Sequence, residues 1–325
     1  MPDSTPPGPG RGPVAARRHQ EHFFAQTDES GLGAVDAVDD SGAPSSMWSE
    51  AWRKLRRRPL FWVSAAIITL VCAMAVFPQL FTSVDPRNCD LANSYGEPSA
   101  GHPFGFDRQG CDIYARTIYG ARASVTVGVL ATAAVVVFGT VIGAVAGYFG
   151  GWFDTILSRI TDIFFAIPIV LAAIVIMQVF TDGSALMVAA VLASFGWTNI
   201  ARITRGSVMT VKNNDYVTAA QSLGVGRLGI LARHVMPNAA APIIVYATVA
   251  LGIFIVAEAT LSFLGLGLPT TVVSWGGDIS DAQNSIRTNA EILFYPAAGL
   301  ALTVLGFIMM GDAVRDALDP KQRDR

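Results

Sequence analysis

Very few residues of this chain have the type and spacing that chemistry requires. The four histidines, at 19, 22, 102 and 234, offer no paired metal-ligand spacing, so no metal site and no catalytic residue is expected. A phosphate-binding loop needs glycine ahead of its lysine, whereas Lys54, Lys212 and Lys321 follow Arg53, Val211 and Pro320. The chain therefore cannot hydrolyse ATP by that route. One carboxylate stands apart. Glu258 lies in a long apolar run, where an ionisable group is expensive and marks a functional site by default. It sits about twenty residues, or roughly 30 Å of helix, beyond Pro237. That depth places it near the end of its run, with access to water, and favours a group hydrogen-bonded between helices or beside a gate over direct substrate contact.

The second patterned stretch runs from Asn213 to Gly224 (NNDYVTAAQSLG) within a polar connection, 202–237. Asn and Asp favour helix starts, and Gly224 suits the residue just past a helix end, so a helix of two to three turns is expected from Asp215 to Leu223. Tyr216, Ala219, Ala220 and Leu223 stand at i, i+3, i+4 and i+7, on one face that is small and apolar at its middle. An exposed helix with such a face is suited to docking in a partner's groove.

The elements that must position these residues are set by composition. Of 325 residues 52% are hydrophobic and 15% charged, where soluble domains carry about 25% charged. That excludes a soluble enzyme, and the net charge of −2 gives no reason to expect nucleic acid. Six stretches are long and apolar enough to span a bilayer: Pro59–Val84, Ser124–Phe149, the segment between Asp162 and Asp182, Ala185–Ala201, Val235–Ala257 and Ile292–Gly311. The expected fold is all-α. If the N-terminus is cytoplasmic, the inner segments (1–58, 150–161, 202–234 and 312–325) carry 18 of the 23 Lys/Arg, which places both termini in the cytoplasm. The basic run Arg53 to Arg58 stands directly before the first span, at the end of an amphipathic interfacial segment, 47–58, with Trp48 and Trp52 four apart. Ala73-Met74-Ala75 resembles a signal-cleavage site, but the 58 residues ahead of the run favour a retained anchor.

Residues 1–46 are rich in Pro, Gly, Ser and Asp and are expected to be a disordered tail. The outer loop, 85–123, contains Cys89 and Cys111, which are either bridged or two free thiols. Cys72 in the first span reads as an apolar filler. Gly139, Gly143 and Gly147 form a stripe for close helix packing. Pro168 should kink its span. The segment from Pro269 to Ser285, with Trp275, reads as an interfacial helix or loop, and Arg315-Asp316 as a short surface helix ended by Pro320.

The connection at 202–237 resembles the EAA loop shared by permease subunits of ATP-driven (ABC) importers. Ala219-Ala220 is followed by Gly224 and, thirteen residues on, by Pro237, with Thr218 in place of the motif's glutamate. Four more segments resemble the second, C-type permease of dipeptide and oligopeptide importers. They are His102-Pro103-Phe104-Gly105-Phe106-Asp107 through Tyr119-Gly120-Ala121-Arg122, Ala146-Gly147-Tyr148-Phe149-Gly150-Gly151, Glu258 to Gly267 (EATLSFLGLG), and Gly311-Asp312 through Pro320. Phe106 and Cys111 depart from that pattern. The resemblance covers about residues 47 to 322. It implies a type I importer permease with core 124–311 and C-terminal segment 312–325, in the inner membrane. Asp215, Tyr216, Ala219, Ala220, Leu223, Gly224 and Pro237 would couple it to an ATPase. Implied partners are a second permease, two ATPase domains that bind ATP and Mg, and an extracytoplasmic solute-binding protein. The cargo would be peptides, with nickel or haem as the alternative; an ion-driven secondary transporter is the reading from another class.

Overall fold

A computed structural model describes residues 47–180 and 183–318, with side chains from Ser49 onward. The expected disordered tail, the Trp48 side chain, Asp182 and the closing Asp319-Pro320 lie outside the described residues.

The chain's dominant pattern is apolar sequence with small residues, and it folds into helices with no strand among the described residues. Helix α1 (Met47–Leu55) turns Ala51 inward, while Trp52 stays exposed and meets the Phe61 ring edge-on at 5.8 Å. Helix α2 (Pro59–Val76) stops short of the expected Val84, because Phe77 precedes a proline and leaves the helical region. Helix α3 (Ile113–Phe149) begins eleven residues before the apolar stretch does, capped by the Asp112 carboxylate on the Ala115 N–H. Its first turns therefore hold residues expected in the outer loop. Arg122 there donates to the carbonyls of Ala75 and Val76, closing the unpaired C-terminal end of α2.

Gly150 and Gly151, both at positive φ, reverse the chain into α4 (Gly151–Ala166), which bends by 80° into α5 (Ile169–Val179) across Pro168. The expected kink is present, and the expected inner loop, 150–161, is mostly helix. Helices α6 (Ala185–Val211), α7 (Asp215–Ser222), α8 (Arg227–Phe263), α9 (Trp275–Ala282) and α10 (Glu291–Leu318) complete the order. Among the described residues five helices are long and apolar enough to cross a membrane, six if the bent α4–α5 pair is one span. Arg315 and Asp316 belong to α10 instead of a separate surface helix, and Asp316 pairs with Arg58 at the start of α2.

The core is the α3–α6 seam. A side chain at Gly139 would run into Ile200, and one at Gly143 or Gly147 into the backbone of Ala201 or Arg205. Missing side chains let the two backbones touch, which is how helices associate where lipid is as apolar as leucine. Val127, Val135, Val188, Leu192 and Phe254 fill the space alongside. Apolar side chains such as Phe138, Val141 and Leu186 point outward, as expected of a helix apolar all round.

Candidate functional site

The helix expected from its capping residues is present as α7, and Gly224 follows it at φ +81°. A side chain there would be strained, since left-handed backbone suits glycine. The expected docking set divides in two. Val217 and Ala220 turn inward, onto Val208, Ile230 and Val235, so Ala220 is not on the helix's outward face. The helix is present, but the face expected from the spacing is split: the packed side is set by Val217, which the pattern did not single out, and it takes Ala220 with it. The outward side carries Asp215, Tyr216, Ala219 and Leu223, the last 84% exposed, with Leu228 beyond it at 71%. Pro237 lies exposed on α8 just past a π-helical turn, Leu231–Val235. The wider turn pairs the Met236 N–H with Leu231 O, five residues back, and eases the chain past a residue that has no N–H to give.

Glu258 is fully buried, which corrects the expectation of access to water. Ser262, one turn along α8, donates to its Oε1 at 2.7 Å, and Oε2 has no partner. Around it α8 is closed by α9, whose Gly276 abuts the Ala259 backbone. Trp275 is likewise buried, not interfacial. Its Nε1 donates to Thr117 O at 2.8 Å, and Gly120 on α3 leaves room for the ring.

At the same end of the bundle, Cys89 and Cys111 form a disulfide. The loop it closes is pinned by the Asp107 carboxylate, which accepts from the Gln109 and Cys111 N–H groups, and by the His102–Asp112 pair. Beneath it Arg116 donates through Nε to Asp278 Oδ1 at 2.9 Å, with Asp107 and Asp281 3.9 Å away. Burial pushes the Asp278 carboxyl up to about 6, against the opposing pull of the Arg116 charge. Sequence reasoning missed this cluster, since the four residues are spread over 174 positions and Arg116 fell within the expected outer loop. No group of three His, Cys, Asp or Glu able to hold a metal ion occurs among the described residues.

At the α7 end, two further ion pairs join α4 to α6. Arg205 holds Asp154 through both carboxylate oxygens, Nη2 at 2.8 Å from Oδ2, and Arg202 holds Asp162 at 2.8 Å. The Arg202 guanidinium also lies 3.8 Å from the centre of the Phe165 ring.

Residues 139–324 match the family described as binding-protein-dependent transport system inner membrane component, and residues 46–98 match the N-terminal TM domain of oligopeptide transport permease C. The chain is 38% identical over 296 residues to the oligopeptide transport system permease protein OppC of Bacillus subtilis, covering 91% of this chain and 97% of that protein. It is 38% identical over 289 residues to the dipeptide transport system permease protein DppC of Alkalihalophilus pseudofirmus, 88% of this chain and 93% of that one. The glutathione transport system permease protein GsiD of Escherichia coli O157:H7 is 36% identical over 275 residues, 84% of this chain and 90% of its own length.

Proposed function

We propose a specific role from the premise that the chain belongs to the family of binding-protein-dependent transport system inner membrane components: it is the C-type permease of an ATP-driven peptide importer. Such a subunit carries no catalytic residue of its own. It forms half of the path for di- or oligopeptides, beside a second, related permease. Two partner ATPase domains bind ATP and Mg and supply the work, and an extracytoplasmic solute-binding protein delivers cargo. The relatives named for oligopeptides, dipeptides and glutathione all point to peptide cargo.

The observation that carries the reading is the outward face of α7, where Tyr216, Ala219 and Leu223 stand free of the bundle and ready to enter a groove. Orientation follows from charge and redox together. The Lys/Arg-rich α7 end faces the cytoplasm, and the disulfide end faces the oxidising side. In the cycle, ATP closes the ATPases, α7 moves with them, and the bundle exposes its path to each side in turn. Direction comes from cargo and nucleotide binding the two states unequally.

The test is Leu223→Arg in the assembled importer. The permease pair should still insert, the ATPase subunits should no longer copurify, and ATP-dependent peptide uptake into proteoliposomes should be lost. Full uptake with a normal complement of ATPase would sink the assignment, as would labelling that places residue 223 on the side of the Cys89–Cys111 bridge.

A further inference from the structure

Helix α4 is attached unlike its neighbours. Of its sixteen residues Thr161 is the one that is buried. Between α4 and the helices behind it lies a cavity of about 380 Å³, walled by Ile142, Ala146, Leu157, Ser158, Thr161 and Ala201. Both ends of α4 are jointed. Gly150 and Gly151 sit at positive φ with open space around each, and Pro168 breaks the far end at 80°. Apolar packing onto α6 is confined to the last turn of the helix, where the Phe164 ring meets Phe195 and Trp197 at 5.7 and 5.6 Å, and leaves the rest of its length unfixed. What reaches across the gap is charge: Asp154 to Arg205, and Asp162 to Arg202 with its cation–π contact to Phe165.

The other partner in these pairs is the stretch of α6 that leads into the coupling segment. Arg205 lies ten residues before Asp215, and its own backbone is clamped on Gly147 of α3. The carboxylate and guanidinium of the Asp154–Arg205 pair are 22% and 36% exposed, wet enough to part and reform without stranding a dry charge. A packed interface resists sliding, whereas a hinged helix over a void has room to move.

We infer that α4 is a lever worked from α6, and that Asp154, Asp162, Arg202 and Arg205 are positioning residues that pass movement of the coupling segment to the bent α4–α5 span. The inference rests on the importer reading above and adds a route by which the stroke reaches the path. No step of it needs α4 to touch cargo.

The experiment uses the whole importer in proteoliposomes and reads peptides imported per ATP hydrolysed. Asp154→Arg and Arg205→Asp, singly, should each lower that ratio about tenfold, the size of coupling between directly contacting groups. Combined, they re-form the pair with reversed sign and should recover most of it. A merely structural role would lower complex yield and leave the ratio of the surviving complexes unchanged. As a second variant, Ser158→Cys with Ala201→Cys in a Cys72→Ser background should stop import when a short thiol crosslinker bridges the cavity. A double swap no better than either single change, or import that continues through the crosslink, overturns the lever. Loss of ATP dependence in the unaltered complex would instead overturn the importer reading.

Discussion

The two faces of α6 are held in opposite ways. Toward α3 it meets glycines, and at Gly139 an added carbon would lie 1.8 Å from an Ile200 methyl. Toward α4 it meets a cleft crossed by two ion pairs, with ring contacts only at its far end, where Phe164 lies against Phe195 and Trp197. The first contact is shaped by volume and permits one arrangement. The second is shaped by charge, tolerates water and permits several. One helix thus carries a fixed seam and a loose joint on opposite sides, and the contrast can be tested by degrees.

The largest effects belong to the glycine-shaped contacts of α3, at Trp275 of α9 and at the α6 seam. Trp275→Ala removes the ring seated against Gly120 and Gly299 and should cost about 3–5 kcal/mol. Thermal unfolding of the purified protein would show it. Gly139→Leu overfills the seam and should cost about 3 kcal/mol, read as lower accumulation in the membrane and a lower melting temperature. An intermediate effect is expected from pH. Asp278 keeps its proton up to about 6 in the folded chain, whereas an unfolded aspartate releases it near 3.9. Its contribution to stability is complete below about 4 and is lost as pH rises through about 6. The melting temperature should therefore rise between pH 7 and pH 5, and Asp278→Asn should flatten that rise. The smallest effect is Asp162→Asn, whose carboxylate is half exposed; about 0.5 kcal/mol or less is expected by the same melting assay. If that change matched Gly139→Leu, α4 would be part of the rigid body and the contrast would fail.

The sequence showed the spans because hydropathy is additive, and it showed α7 because Asn214 and Gly224 punctuate the chain locally. What escaped it depends on neighbours. The start of α3 at Ile113 was hidden by Arg116 and Arg122, whose charges read as loop until Asp278 and the end of α2 receive them. Ala220 was grouped with the outward residues because it lies at the edge of their face, and helical spacing does not say where that face ends; Val217 draws it inward. Glu258 was placed in reach of water on axial depth alone, with no account of α9 folding over it. Trp275 looked interfacial for the same reason: a tryptophan in a segment between two spans fits a membrane surface until a glycine on another helix makes room for its ring. The bend at Pro168 was foreseen, but the ion pairs of α4 were not, since Asp154 and Arg205 are 51 positions apart.

The three cysteines divide the molecule's sulfur chemistry by solvent. Cys89 and Cys111 are spent on each other, and Cys72 faces outward from the first apolar helix. A maleimide too polar to enter lipid should leave the oxidised protein unmarked, while a greasy one finds a single target. Routine purification in dithiothreitol would change that count from one to three, and with it the anchorage of the loop that roofs Arg116.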